Sequence, residues 1–295
     1  MGDELRDRAI RIYDAFTHDH RDRRTLLREM TLLAGSAVAA EALIAGIAAS
    51  PAAAQTASQD DPRLGLNGKL NLGGFDGYFA APAAYTGRMG VMVIHENRGL
   101  NEHIKDVTRH MALAGFVAFA PDFLQPMGGT PADEDQAREM MSKLDLAETV
   151  VRGAKMLSTF RSADIVTYAN YRAKIRRVGA VGFCWGGAMV NRLAVASGDM
   201  LDAGVAYYGP APSPVEASRV KAPLLLHYAG KDERVNASGG PWIEALKAAG
   251  KDVEAFTYPG VDHAFNNSTS AARYNAAAAG LAWDRSVKFL KKHLK

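Results

Sequence analysis

Cysteine is nearly missing from this 295-residue chain: Cys184 is the only one. No disulfide can close within the chain, and cysteine use neither points to nor excludes an oxidising compartment. Metal-binding and nucleotide signatures are lacking too. No cysteine or histidine cluster has zinc spacing, and no Gly-x-Gly-x-x-Gly follows a strand, so no local metal motif and no dinucleotide turn is expected. Charge of one sign is scarce, with a net +3. The basic residues gather in the first thirty positions and near the C-terminus without interleaved aromatics, which is not a nucleic-acid pattern. The most membrane-like run, residues 31–49, is short for a span and carries Glu41, which argues against stable membrane insertion. What remains, 48% hydrophobic and 23% charged, is ordinary globular material. It suffices for one large α/β domain or two small ones.

Residues 1–60 differ in texture from everything after them. A charged stretch ends in Asp22-Arg23-Arg24-Thr25-Leu26-Leu27-Arg28, an Ala/Leu/Gly-rich run follows, and Ser50-Pro51-Ala52-Ala53-Ala54-Gln55 closes it. A basic region, an apolar region and small residues before a cut after Ala54 form the pattern of a twin-arginine-like export signal, which would place the protein in the periplasm. The long leading region and Glu41 speak for the alternative, an amphipathic helical arm retained on a cytoplasmic protein. Residues 55–63 read as a linker, so the chain divides into a 1–60 extension and a 61–295 domain.

Within that domain, two alternating segments around Gly73-Gly74 in residues 68–81 predict a β-hairpin of outer, antiparallel strands. Residues 89–94 and 116–122 are nearly unbroken apolar runs, as buried parallel strands require. Between them Asn101 is placed to cap a helix that Gly115 ends. One or two helices are expected in 132–160, strands at 175–182, 203–208, 223–229 and 253–258, and helices at 239–249 and 271–293. Strands alternating with helices predict a mostly parallel sheet covered on both faces.

The chemistry gathers at strand ends. Gly182-Phe183-Cys184-Trp185-Gly186-Gly187 follows an apolar strand and opens a helix. Glycines two residues to either side of Cys184 permit the sharp turn of a nucleophile elbow, with a thiol where serine is usual. A lone cysteine is more often a small buried apolar residue, so the surroundings must decide. Asp232 and His263 each follow a later strand, and nucleophile, acid, histidine is the α/β-hydrolase order. His263 would take the thiol proton and Asp232 would orient the imidazole.

With Ile94-His95-Glu96-Asn97-Arg98-Gly99, Gly230-Lys231-Asp232 and Asp262-His263-Ala264-Phe265 added, the chain from about residue 68 onward resembles the dienelactone hydrolase (carboxymethylenebutenolidase) family of the α/β-hydrolase fold. The resemblance implies a Cys184 nucleophile, a His263 base and an Asp232 orienter. It further implies that Glu96 contacts the resting cysteine and assists its activation, and that the backbone N–H groups of Trp185 and Asn97 form the oxyanion hole. The substrate implied is a small-molecule ester or lactone, with no cofactor and no metal. One departure concerns substrate recognition. Members acting on dienelactone hold its carboxylate with arginines in the loop after the 116–121 strand and just after the histidine, and neither loop has one here. Arg98, Arg234 and Arg273 are the possible substitutes. A general carboxylesterase or thioesterase, and a hydrolase-like binding protein without turnover, remain as alternatives. The oligomeric state is left open.

Overall fold

The computed structural model describes residues 3–18, 21–48, 57–84, 89–166 and 172–295. The expected cut after Ala54 lies outside them. The hairpin at the start of the domain comprises β1 (Leu64–Leu72) and β2 (Phe75–Pro82), paired antiparallel. It forms one edge of an eight-stranded sheet. Beyond β2 lie β4 (Val117–Pro121), β3 (Met89–Ile94), β7 (Arg177–Phe183), β8 (Ala203–Tyr207), β9 (Leu224–Ala229) and β10 (Val253–Tyr258), in that spatial order. From β4 to β10 every neighbouring pair is parallel. A small antiparallel pair, β5 (Asp164–Val166) and β6 (Arg172–Lys174), stands apart from this sheet and was not anticipated.

Alternation along β3 shows why its residues form a central strand. Met92 and Ile94 enter one core and Val91 and Val93 the other, all without solvent exposure. Each face is sealed by helices. On one side lie α4 (Glu102–Leu113) and α9 (Ala276–Leu294), through Ile104, Met111, Phe289 and Leu290. On the other lie α6 (Leu146–Arg161), α7 (Trp185–Ala196) and α8 (Glu233–Ala248), through Leu157, Leu193 and Trp242. A further helix, α5 (Glu134–Ser142), packs Ala137 and Met141 near Trp185. As expected, Asn101 caps α4, accepting the Ile104 N–H at 3.2 Å. This is the α/β-hydrolase architecture.

An N-terminal helical extension precedes it: α1 (Asp3–His18), α2 (Arg23–Ala34) and α3 (Ala37–Ile47). Asp22 and Ser36 cap the last two through the N–H groups of Thr25 and Ala39. The helices bury Ile10, Tyr13, Phe16, Met30 and Ile47 among themselves, and Ala272 is the body residue packed against that cluster. Among the described residues no single helix is long and apolar enough to cross a membrane, and α2 and α3 are bent by 110° at their junction.

Candidate active site

β7 runs directly into Cys184, the N-cap of α7. A Cβ on Gly182 would stand 2.2 Å from Gly186 O, and one on Gly186 would stand 2.2 Å from Ile94 O. No side chain can relieve backbone contacts that close, so both glycines are obligatory for the turn. The turn holds Cys184 at φ 53, ψ −111, with its N–H donated to Tyr207 O at 3.0 Å. Among the described residues only three non-glycines have positive φ: Cys184, Tyr208 and Ala264. All three lie in or beside this centre, where backbone strain is characteristically stored.

Across from the thiol stands His263, buried. Its Nδ1 bonds Asp232 Oδ2 at 2.5 Å, which leaves Nε2 buried and without a hydrogen-bond partner. A ligating atom of each of His263, Cys184 and His18 lies within 4.8 Å of the other two. Were His263 to act as base toward Cys184, such a separation would be ordinary in a resting site and would tighten when substrate arrives. Burial pulls the imidazole toward neutrality, but the Asp232 carboxylate and the Cys184 sulfur outweigh it and push His263 up to about 10. Asp232 is itself subject to burial, which raises it. His263 and the Val235 N–H, accepted at 3.1 Å, overcome that and hold the carboxyl below its usual range. That last bond makes Asp232 the N-cap of α8, so the helix begins at Glu233 and not at 239 as expected.

Glu96 and Asn97 occupy the turn after β3. Glu96 is buried, accepts a hydrogen bond from Asn267 Nδ2 at 3.0 Å, and shares a small cavity with Cys184 and His263. Among the described residues it forms no ion pair with the cations near it in sequence: Lys105 pairs with Glu102, and Arg98 with Asp135. The Trp185 N–H is the first amide of α7 and the Asn97 N–H lies in the turn, and among the described residues neither takes part in a backbone hydrogen bond. Tyr208, which the sequence did not single out, is buried with its hydroxyl unpartnered. Burial first, then the charges of Glu96 and Cys184, push it well above the ordinary tyrosine value.

The three arginines separate. Arg98 is held by Tyr13 Oη at 2.9 Å and Asp135 at 3.1 Å. Arg273 is held by Asp14 at 3.0 Å and by Ser270 Oγ. Arg234 is exposed, forms no ion pair among the described residues, and lines a pocket with Cys184. That pocket, about 330 Å³, is walled by Met141, Leu144, Trp185 and Met189, with Arg138 and Arg192 at its sides. The arm closes part of it. Thr17 O accepts from Asn97 Nδ2 at 3.1 Å, and the His18 ring meets the His263 ring edge-on, centroids 4.8 Å apart. Burial and the nearby positive charge of His263 hold His18 well below the ordinary histidine value. His18, Asn267, Arg138 and Arg192 were all missed in the sequence. Periodicity signals a helix over α1 but carries nothing about where that helix docks.

The sequence profile of the dienelactone hydrolase family matches residues 75–294. A Methylorubrum extorquens protein named "Putative carboxymethylenebutenolidase" is 30% identical over 284 residues, covering 90% of this chain and 96% of that one. Protein usf of Aquifex pyrophilus is 37% identical over 227 residues, covering 74% and 93%. A crystal structure from Klebsiella pneumoniae subsp. pneumoniae, described as a "Putative Dienelactone Hydrolase", superposes with a TM-score of 0.65 at 27% identity, over 77% of this chain and 98% of that one. Fold, strand-end chemistry and relatives agree, and the chain belongs to the dienelactone hydrolase family.

Proposed function

We propose that this hydrolase cleaves an ester or lactone through a thioester acyl-enzyme built on Cys184. The observation that carries the reading is a thiol on a strained elbow facing the one unpartnered nitrogen of an imidazole whose other nitrogen is fixed by Asp232. His263 Nε2 takes the Sγ proton, and the thiolate attacks the carbonyl carbon. The Trp185 and Asn97 amides receive the oxyanion. Collapse expels the alkoxide, which leaves with the proton from His263. Water then gives its proton to the same nitrogen and attacks the thioester. The second tetrahedral intermediate releases the carboxylic acid and returns the thiol. Glu96, fixed by Asn267 beside the sulfur, supports the activation of the cysteine. No cofactor enters any step.

Of the three arginines, Arg234 is the substrate contact we favour, because it lines the pocket with Cys184 and forms no ion pair among the described residues. An apolar wall with arginines at the rim suits a small ester bearing one carboxylate. For the arm we favour retention over export, because Thr17 and His18 help to close the pocket. Mass spectrometry of the N-terminus in the native host decides between the two.

The function is tested by turnover of a panel containing dienelactone, an uncharged aryl ester and a thioester, by wild type and Cys184→Ala. Turnover by wild type, lost by several orders of magnitude in the variant, is expected. Equal activity in both would remove Cys184 from the mechanism. A preference for the uncharged ester would favour the general carboxylesterase reading.

A further inference from the structure

His18 has no part in the hydrolytic cycle, yet α1 delivers it to the catalytic pair. Its ring lies edge-on to His263, and no hydrogen bond engages it among the described residues. One nitrogen of His18, one of His263 and Cys184 Sγ lie mutually within 4.8 Å. Because Nδ1 of His263 is bonded to Asp232, the nitrogen left to face the others is the buried, unpartnered Nε2. A carboxylate behind an imidazole whose second nitrogen is free is the arrangement that orients histidine ligands in metal centres.

We propose that His18, Cys184 and His263 form a site for a thiophilic divalent cation of the Zn²⁺ class, assembled between the arm and the body. The donor set is one thiolate and two imidazoles, which suits Zn²⁺, Cd²⁺ or Co²⁺ and disfavours Mg²⁺ or Ca²⁺. In a tetrahedral site such donors sit roughly 3.3–3.6 Å apart, so the present triangle has to contract by about 1 Å. His18 ends its helix, so a side-chain rotation with a small shift of α1 supplies the contraction. The fourth position opens toward the pocket, where water or a substrate carboxylate completes the shell. Asp232, Glu96 and Asp14 balance the arginines around the site.

On binding, the one proton held between Cys184 Sγ and His263 Nε2 passes to solvent, and the cation takes the sulfur lone pair and the Nε2 lone pair. These are the same electron pairs the proposed hydrolysis uses, so the cation inhibits. The inhibition rests on that reading, whereas the binding does not.

The probe is Co²⁺ added to the full-length chain, read by thiolate-to-cobalt charge-transfer absorption, which needs no turnover. One Co²⁺ per chain with that band is expected, displaced by Zn²⁺ and absent in Cys184→Ser. His18→Ala and the size-preserving His18→Gln should each weaken binding by about 10-fold or more while circular dichroism stays that of the wild type. No band in wild type overturns the proposal. So does unchanged affinity in either folded His18 variant, which would leave a body-only site without the arm.

Discussion

Asp232 holds two positions at once, hydrogen-bond partner of His263 Nδ1 and N-cap of α8, and substitutions can part them. Asn caps a helix about as well as Asp, whereas Ala does not, a difference of about 1 kcal/mol. Both Asp232→Asn and Asp232→Ala should lose turnover on the order of 10⁴-fold, by analogy with other triads. In urea titrations only the alanine variant should show the additional loss from the missing cap. Equal stability of the two would mean that the cap contributes nothing. The residue scale also shows what a sequence can carry. Cys184, Asp232 and His263 were legible because glycine spacing and strand ends mark them locally. Arg98, Arg234 and Arg273 were indistinguishable there, because what separates them is a tertiary contact: Tyr13 holds Arg98, Asp14 holds Arg273, and Arg234 forms no ion pair among the described residues. Arg234→Ala should raise KM for a carboxylate-bearing ester with little change for an uncharged one, and an equal rise for both would take it out of carboxylate recognition.

Among the elements, the sheet was legible nearly strand by strand, and the errors have local causes. The start of α8 was hidden by Ser238-Gly239-Gly240-Pro241, a run of poor helix formers inside a helix that its cap and Trp242 packing hold together. Expected from residue 271, α9 begins at Ala276, where Asn275 caps it through the Ala278 N–H at 3.0 Å. The arm was legible as helix but not as lid, because its ties to the body are polar and distant in sequence. They include Asp7 to Lys231, Asp14 to Arg273, Arg23 to Asp135 and Tyr13 to Arg98. The exposed pairs among them, Asp7–Lys231 and Arg23–Asp135, are worth about 0–1 kcal/mol each and are screened by salt, whereas the Tyr13–Arg98 and Asp14–Arg273 contacts are partly buried. Hydrogen exchange in α1 should therefore quicken with added salt while the β3 and β7 amides stay protected. An arm indifferent to salt would point to docking by apolar contact.

At the scale of the whole molecule, two groups of histidines oppose one another. His18, His95, His103 and His227 are all held below 6.5 by burial, His227 down to about 3. The unfolded chain binds protons that these sites refuse, so stability falls as pH drops below 6.5, by up to about 1.4 kcal/mol per unit for each. His263 has the other sign: raised to about 10, it stabilises fully below 6.5 and loses that contribution as pH climbs to 10. Urea midpoints should therefore peak near pH 6.5 and fall on both flanks, and His263→Asn should flatten the alkaline flank alone. A midpoint unchanged between pH 6.5 and 10 in wild type would contradict the His263 pairing.

The docked arm has one more consequence. His18 belongs to a segment that an export peptidase cutting after Ala54 would discard, so under the export reading a single cleavage would change both the cellular address and the pocket wall. The uncut chain keeps Thr17 and His18 in the wall of the pocket that holds Cys184. A chain shortened there would lack both, and the pocket beside Cys184 would be wider on that side.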